Sequence, residues 1–451
     1  MPPSADTIAA PATPTGTSAL AVVRVSGPDT QALATELGGG PPPPRRARHV
    51  DYRDRSGTLL DDVVLTFFAG PHSFTGEDSL EVSCHGSPFI VQKILEDLHG
   101  RGCRPAEPGE FTKRAFLNGR MDLSQAEAVM DLIHARSDRA LAAAHHQLRG
   151  GLGKRLQELV DLLLEALARI EAYIDFPDED LPPEDRSEVL AIIERISLYT
   201  NMLRATSHYG ELLRDGIKAA ILGPPNVGKS SLLNRLVGMD RALVSPEPGT
   251  TRDYLEERIV VGPHCFRLID TAGFNPSPAL LEKLGMEKSL ERALEADLIL
   301  LVLDATVSVA PHFPSELLAK LEPSSTIVVV NKSDLSPGVA PAFMVPGAAT
   351  VSVSALTGLG MEDLTKAMAE SADRLGHDPS DLVTINARHA SALAQASECL
   401  AAAASKLAGP EQMELVASDL RGVLDAFGEI TGRIDNERML DKLFATFCIG
   451  K

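Results

Sequence analysis

Apolar positions in the first 118 residues gather into short runs separated by polar, glycine-rich or proline-rich turns. Ala19–Ser26 (ALAVVRVS) and Asp62–Phe68 (DVVLTFF) are rich in β-branched residues, and Leu80–Cys84 alternates, so all three read as strands. Phe89–Leu98 reads as an amphipathic helix. Gly38–Pro44 (GGGPPPP) reads as a loop insertion, because its prolines offer no ladder donors and its glycines fix no register. From about residue 121 to 210 the period becomes helical. Leu152, Leu156, Leu159, Leu163 and Leu167 recur at spacings of three and four, as a buried stripe requires. Asp175–Asp185 (DFPDEDLPPED) interrupts that stripe with prolines and acids and reads as a loop.

From about residue 216 short apolar strands alternate with helical stretches: Ile217–Leu222, Phe266–Ile269, Leu298–Leu303, Thr326–Val330 and Thr350–Val353. That alternation predicts a doubly wound, mostly parallel sheet. Beyond about residue 378 the pattern is again helical and rich in alanine, over Ala392–Leu407, Glu411–Phe427 and Asn436–Phe447. The predicted fold class is therefore multidomain, α/β plus all-α. An α/β region at 1–118 precedes a doubly wound unit at 214–376, which is inserted between helical segments at 119–213 and 377–451. The two helical segments are expected to pack as one domain, since a short terminal segment buries little surface alone.

A length of 451 residues agrees with two to four domains. Hydrophobic residues make up 44%, enough for several cores, and the absence of tryptophan leaves those cores to Leu, Val, Ile and Ala. The 43 basic residues against 62 acidic ones give a net charge of −19. That argues against a general nucleic-acid binder, whose nonspecific affinity comes from neutralising phosphates. Arg45, Arg46 and Arg48 are a short basic candidate, but they read as a solvated loop after Pro41–Pro44. Cys84, Cys103, Cys265, Cys399 and Cys448 are far apart and form no C-x-x-C pair, which argues against a disulfide framework or structural zinc. No basic region with a following apolar stretch opens the chain, and no apolar run approaches ~20 residues. A cytoplasmic protein with no membrane span is expected.

Gly223–Ser230 reads GPPNVGKS, a full G-x-x-x-x-G-K-[ST] match between a predicted strand and a predicted helix at Ser231–Val237, the context that marks a P-loop. Its backbone N–H groups would cradle phosphate oxygens, Lys229 would reach the β/γ phosphates, and the Ser230 hydroxyl would bind Mg²⁺. Asn226, Val227, Gly228, Lys229, Ser230 and Ser231 form the expected contact set. Asp270, Thr271, Ala272 and Gly273 (DTAG) close another strand. Asp270 there would hold Mg²⁺ through water, and the Gly273 N–H would sense the γ-phosphate. Asn331–Asp334 (NKSD) ends a third strand. With Asn331 and Lys332 beside it, the Asp334 carboxylate would accept both guanine N–H donors, which adenine lacks, so the expected nucleotide is GTP. Ser354, Ala355 and Leu356 (SAL) suit a backbone contact to the guanine oxygen. Each motif is weak alone. Four in order, each at a strand's carboxyl end where open α/β sheets bind ligands, read as a Ras-like G domain that binds and hydrolyses GTP. Phe274 follows DTAG where Ras-type enzymes have a water-orienting glutamine, so catalysis must place its water by other means. Thr250–Asp253 (TTRD) is the natural switch loop, with Thr251 closing on Mg²⁺. Asn226 offers a side-chain oxygen to a monovalent cation, and K⁺ bound there would neutralise developing charge as an arginine finger does.

GPPNVGKSSLLN, GTTRD, DTAG, NKSD and the terminal Phe447–Lys451 (FCIGK) resemble a family of tRNA-uridine modification GTPases, called MnmE or TrmE. Pro71–Asp78 (PHSFTGED), Pro108–Asp122 (PGEFTKRAFLNGRMD) and Leu123–Asp131 (LSQAEAVMD) extend the likeness over nearly the whole chain. The resemblance implies an N-terminal folate-binding α/β domain that drives homodimerisation, a two-segment helical domain, and an inserted G domain that pairs with its copy under GTP and K⁺. It also implies a flavoprotein partner (MnmG, also GidA) that binds FAD and NADH. Together they would install a carboxymethylaminomethyl or aminomethyl group on the wobble uridine of certain tRNAs. The one-carbon unit would come from a tetrahydrofolate derivative, 5-formyl- or methylene-tetrahydrofolate. A partner that brings the basic tRNA surface would reconcile the acidic charge with an RNA substrate.

Carried over residue by residue, the K⁺ ligands would be Asn226, Thr250 and the carbonyls of Ser245 and Glu247. Both Ser245 and Glu247 precede proline in SPEPG, which favours extended geometry there. Glu282 matches the family's water-orienting acid, although by itself it reads as a solvated helix residue. Lys229 and Thr251 complete the catalytic set. Folate would meet Arg24, Glu81, Arg120 and Lys451, the acid facing pterin N–H donors and the bases facing carboxylates. Each of these four, taken alone, is a surface charge. Cys448 by itself reads as a small buried hydrophobe, and His85 and the His145–His146 pair read as structural. A ribosome-assembly or RNA-binding GTP switch would share the G motifs, but it usually adds a basic RNA-binding module, which these acidic flanks lack. A third reading makes the N-terminal region a one-carbon transferase in its own right.

Overall fold

The structure, a computed structural model, describes residues 6–175, 183–239, 256–270, 295–338, 341–375, 383–409, 413–432, 443–445, 447–448 and 450. The chain forms two compact units, one of residues 1–130 with 153–157 and 424–451, the other of 131–152 with 158–423.

The first unit holds β1 (Ile8–Pro11), β2 (Ser18–Ser26), α1 (Thr30–Gly38), β3 (Ala47–Arg53), β4 (Leu59–Phe68), β5 (Ser79–Gly86), α2 (Pro88–Gly100), β6 (Arg104–Pro105) and α3 (Glu110–Leu117). Its sheet runs β3-β4-β5-β2-β1-β6, antiparallel except between β1 and β6. Alternate residues such as Val23, Val25, Leu65, Phe67, Leu80 and Val82 pack with Leu33, Ile94 and Leu98 of the helices. The three predicted strands are present and longer. Arg48 corrects the solvated-loop reading, because it lies on β3 and pairs with Leu65 of β4. An edge strand needs backbone pairing on one side only, and β3 buries just Tyr52 fully, so its sequence carries no apolar run.

Helices follow as α4 (Leu123–His134), α5 (Asp138–Leu148), α6 (Gly151–Asp175), α7 (Pro183–Ala205) and α8 (Ser207–Asp215). The five stripe leucines are each 5% exposed or less. Both ends of the expected acidic loop, Asp175 and residues 183–185, lie in helices, and 176–182 are outside the described residues. Helix α6 runs through Asp175, and α7 begins at Pro183, whose missing N–H would have no partner in a first turn.

The second sheet contains β7 (Ile217–Leu222), β8 (Glu256–Val261), β9 (His264–Asp270), β10 (Leu298–Asp304), β11 (Thr326–Asn331) and β12 (Ala349–Ser352), with α9 (Lys229–Met239), α10 (Ser315–Lys320) and α11 (Met361–Leu375) between them. Its order is β12-β11-β10-β7-β9-β8, all parallel except β8 against β9. Ile217, Ala219 and Ile221 face a core with Leu232, Leu236, Leu364 and Met368. Ala220 and Leu222 face another with Ile299, Leu301 and Phe313. Burial on both faces is why these strands read as continuous apolar runs. The strand order reverses beside β7, which places the binding crevice at its carboxyl end.

Among the described residues two further helices follow, α12 (Ala387–Ala408) and α13 (Met413–Thr431), and α12 packs along α7. The predicted helix Asn436–Phe447 lies mostly outside the described residues. No helix among the described residues is long and apolar enough to cross a membrane.

Candidate functional site

The loop between β7 and α9 is shaped by two glycines that no other residue can replace. Gly223 has φ +146°, and a Cβ there would lie 2.1 Å from the Val302 carbonyl oxygen. At Gly228 φ is +95°, and a Cβ would lie 2.3 Å from Asn331 Nδ2. Asn226 takes a left-handed φ of 62°, a region asparagine tolerates better than most residues. The loop leads straight into α9, whose first N–H groups lack intrahelical partners and suit phosphate. Lys229 Nζ donates to the carbonyls of Gly223 (2.9 Å) and Pro224 (2.8 Å), so its ammonium lies over the loop. Ser230 and Ser231 are at least partly exposed.

Asn331 joins this loop to the segment Ser354–Leu356. It is 2% exposed, its Nδ2 donates to the Val227 carbonyl at 2.8 Å, and its Oδ1 accepts from the Ala355 N–H at 3.0 Å. Lys332 donates to the Asn226 carbonyl at 2.9 Å and to Asp304 Oδ2 at 2.6 Å. Burial pushes the Asp304 carboxyl up, but the bonds from Lys332 and Thr306 outweigh burial and hold it below the usual carboxylate range. Sequence reasoning missed Asp304. The available signal was an acid directly after the apolar run LILLVL. Asp334 is exposed, and Ser354 is fully buried with its hydroxyl accepting from the Thr357 N–H at 3.1 Å. Leu356 is 83% exposed, as a residue that contributes only backbone permits. Asp270 is the last residue of β9. Ser245, Glu247, Thr250, Thr251, Thr271, Ala272, Gly273, Glu282 and Lys451 lie outside the described residues.

In the first unit, Arg24 and Glu81 oppose each other across β2 and β5. Arg24 Nη2 and Nε donate to Glu81 Oε1 at 2.8 and 3.2 Å, and Nη1 donates to the Gly450 carbonyl at 3.4 Å. The guanidinium sits 5.8 Å from the ring centres of both Phe74 and Phe111, residues the sequence did not single out. A Cβ on Gly450 would lie 2.0 Å from the Pro11 carbonyl oxygen, so the C-terminal tail lies against the N-terminal sheet. Arg120 is exposed, its stem beside Gly76. Cys448 is exposed rather than buried, because Phe447 and Gly450 take the buried positions of the tail. His85 pairs with Asp61 at 2.8 Å. Among the described residues no group of His, Cys, Asp and Glu is suited to hold a metal ion.

The PGEFTKRAF stretch has a packing role. Arg114, 5% exposed, bonds Asp6 (2.8 Å), Glu77 (3.1 Å) and Glu110 (2.9 Å). Arg104 bonds Asp6 (2.7 Å) and Glu110 (2.6 Å). Two cations and three carboxylates thus lock the start of α3 onto the β1–β6 edge.

A family model described as the MnmE helical domain matches residues 123–448, and one described as GTP-binding protein TrmE N-terminus matches residues 7–120. The chain is 58% identical over 456 residues to the tRNA modification GTPase MnmE of Opitutus terrae, with 100% of each chain covered. It is 46% identical over 457 residues to that of Akkermansia muciniphila, with 99% of each covered. It is 41% identical over 456 residues to that of Symbiobacterium thermophilum, again with 99% of each covered. With whole-length identity of this order and family models matching both ends of the chain, the chain belongs to the MnmE family of tRNA modification GTPases.

Proposed function

We propose that this GTP hydrolase, acting in tRNA modification, uses Mg²⁺ and K⁺ at its P-loop. With a flavoprotein partner of the MnmG type, it drives addition of a carboxymethylaminomethyl or aminomethyl group to the wobble uridine of certain tRNAs. The observation that supports the nucleotide assignment is the shape of the loop between β7 and α9, which Gly223 and Gly228 allow because a side chain there would strike the Val302 carbonyl or Asn331, and which Asn331 ties to the segment at Ala355. In this reading Lys229 leaves the loop carbonyls for the β/γ phosphates, Asp334 and the Ala355 N–H select guanine, and Glu282 orients the attacking water. Ser230 and Thr251, with Asp270 behind them, would hold Mg²⁺, which would supply positive charge beside the phosphate oxygens. K⁺ would be held by Asn226, Thr250 and the carbonyls of Ser245 and Glu247.

The proposed domains are 1–118 for folate binding and dimerisation, 119–213 with 377–451 for the helical domain, and 214–376 for the G domain. A tetrahydrofolate one-carbon donor would lie at Arg24, Glu81, Arg120 and Lys451. Arg24 flanked by Phe74 and Phe111, with the tail at Gly450 against it, supports a site for a flat, charged ligand there. The proposed location is the cytoplasm.

Nucleoside mass spectrometry of total tRNA tests the central claim. The modified wobble uridines should vanish in cells lacking this protein and return with the intact gene but not with Asp270→Ala. An unchanged profile would turn attention to ribosome assembly. Replacing K⁺ by Na⁺ should slow GTP turnover about tenfold or more, and Glu282→Ala should slow it at least about 100-fold under K⁺. Equal rates for Glu282→Ala and the parent protein would remove that residue from the mechanism. Deleting the last five residues should weaken binding of 5-formyl-tetrahydrofolate about tenfold by calorimetry, and unaltered affinity would exclude the tail from the site.

A further inference from the structure

Three loops meet at the carboxyl ends of β7, β10 and β11, and one carboxylate sits where they join. Strands β10 and β11 run parallel, with Asp304 opposite Asn331 in the register. The Ala305 N–H then donates to the Asn331 carbonyl at 2.9 Å. Lys332 follows with a left-handed φ of 62°, a region that a long side chain rarely adopts. Its Nζ donates to the Asn226 carbonyl of the P-loop (2.9 Å) and to Asp304 Oδ2 (2.6 Å). Asn226 has the same left-handed φ of 62°. Two residues in an uncommon conformation, from two different loops, are thus joined through one ammonium group. Such conformations persist only where the surroundings hold them.

The Lys332 side chain is 34% exposed, and an ammonium on a flexible four-carbon stem is ordinarily free to turn to water. Asp304 supplies what fixes it. Its side chain is 10% exposed, and its other oxygen, Oδ1, accepts from the Thr306 N–H (2.9 Å) and the Thr306 hydroxyl (2.7 Å). Those two bonds hold the carboxylate with Oδ2 toward Lys332. The same bonds keep it ionised, since they outweigh the burial that would raise its pKa. A hydrogen bond between an ammonium and a carboxylate is roughly twice as strong as one between neutral groups. The Asn226 carbonyl alone, a neutral acceptor, would hold Lys332 less firmly against competing water.

We propose that Asp304 is a positioning residue for nucleotide binding. By fixing Lys332 across the Asn226 carbonyl, it holds the P-loop turn and the segment Asn331–Asp334 in one arrangement before the nucleotide arrives. In this role Asp304 makes no nucleotide contact and acts only through Lys332. The inference rests on the reading that Asn331–Asp334 meets the guanine base.

The test is a double-mutant cycle on GDP affinity, measured by calorimetry on the full chain with Mg²⁺. Asp304→Asn should weaken GDP binding about tenfold, and Lys332→Met should do the same. The double variant should bind no more weakly than Lys332→Met alone, because the carboxylate then has nothing to position. If Asp304→Asn disturbs the strand end, it does so equally in the Lys332→Met background, so the cycle still reads the coupling. Thr306→Val removes the hydroxyl bond to Oδ1 at an exposed residue and leaves the Lys332 contact, so GDP affinity should stay at the parent value. A carboxylate that merely supported the turn after β10 would weaken binding equally in both Lys332 backgrounds, and Thr306→Val would mimic it. Either result overturns the proposal. Asp334→Asn in the same assay separates this inference from the reading beneath it. Unaltered GDP affinity there removes the base site and the proposal with it. Weakened affinity there, with Asp304→Asn binding as the parent does, overturns the positioning role alone.

Discussion

Asp334→Asn is expected to lower GTP affinity about 10²–10⁴-fold and to make xanthosine triphosphate the better substrate. In the proposed site a carboxylate at this position would accept from two guanine N–H groups at once. Two charge-assisted hydrogen bonds, each about 1.5–3 kcal/mol, give that range. The introduced amide would place an N–H₂ donor against a guanine donor, an unpaired clash. Against xanthine, which has a carbonyl in place of the amino group, the same donor is satisfied. The Asp334 side chain is exposed, so the substitution reads recognition rather than stability. Competition binding with GTP, ATP and xanthosine triphosphate measures it. Equal loss for all three nucleotides would show that the segment Asn331–Asp334 supports the loop without reading the base.

Arg114→Met is expected to destabilise the N-terminal sheet by about 3–5 kcal/mol, because it takes from the largely buried Glu77 the guanidinium it pairs with and leaves Glu110 to Arg104. Glu110 and Glu77 are only 10% and 11% exposed, whereas Asp6 is 47% exposed and recovers much of its solvation. Hydrogen exchange of the β1, β2 and β6 amides in the full chain reads this locally. A loss below about 1 kcal/mol would mean that water screens the network far more than its burial implies. The effect also has a pH signature. Burial pushes the Glu110 carboxyl up, but Arg104, the Glu107 N–H and Arg114 outweigh burial and leave it below its usual value. A carboxyl depressed in the folded state contributes fully above its unfolded pKa, about 4.3 for glutamate, and that contribution fades as pH falls through the folded value. The gap in protection between the parent protein and Arg114→Met should therefore be full at neutral pH and narrow on acidification below about pH 4.3.

The nucleotide site was legible in the sequence because its determinants are local. A P-loop requires glycines, a lysine and a hydroxyl within eight consecutive residues, and the run GPPNVGKS supplies them. The inserted doubly wound sheet was legible for a related reason. Strands buried on both faces must be apolar throughout, as Leu298–Leu303 and Thr326–Val330 are. Strands β1, β3, β6 and β8 were not, since short or edge strands are held by backbone pairing and leave little trace in side-chain pattern.

Composition and motif order thus determined the fold class and the GTP chemistry, and long-range closure decided the rest. Asn331 bonds the Val227 carbonyl 104 positions earlier, and Arg24 bonds the Gly450 carbonyl 426 positions later. Neither contact has a spacing that a linear reading detects. The same holds for Asp304 and Lys332, 28 positions apart, which meet because β10 and β11 lie side by side and end together. Sequence records which groups a chain can offer. Where two distant groups meet depends on how layers pack, and packing is a property of the whole core rather than of any segment.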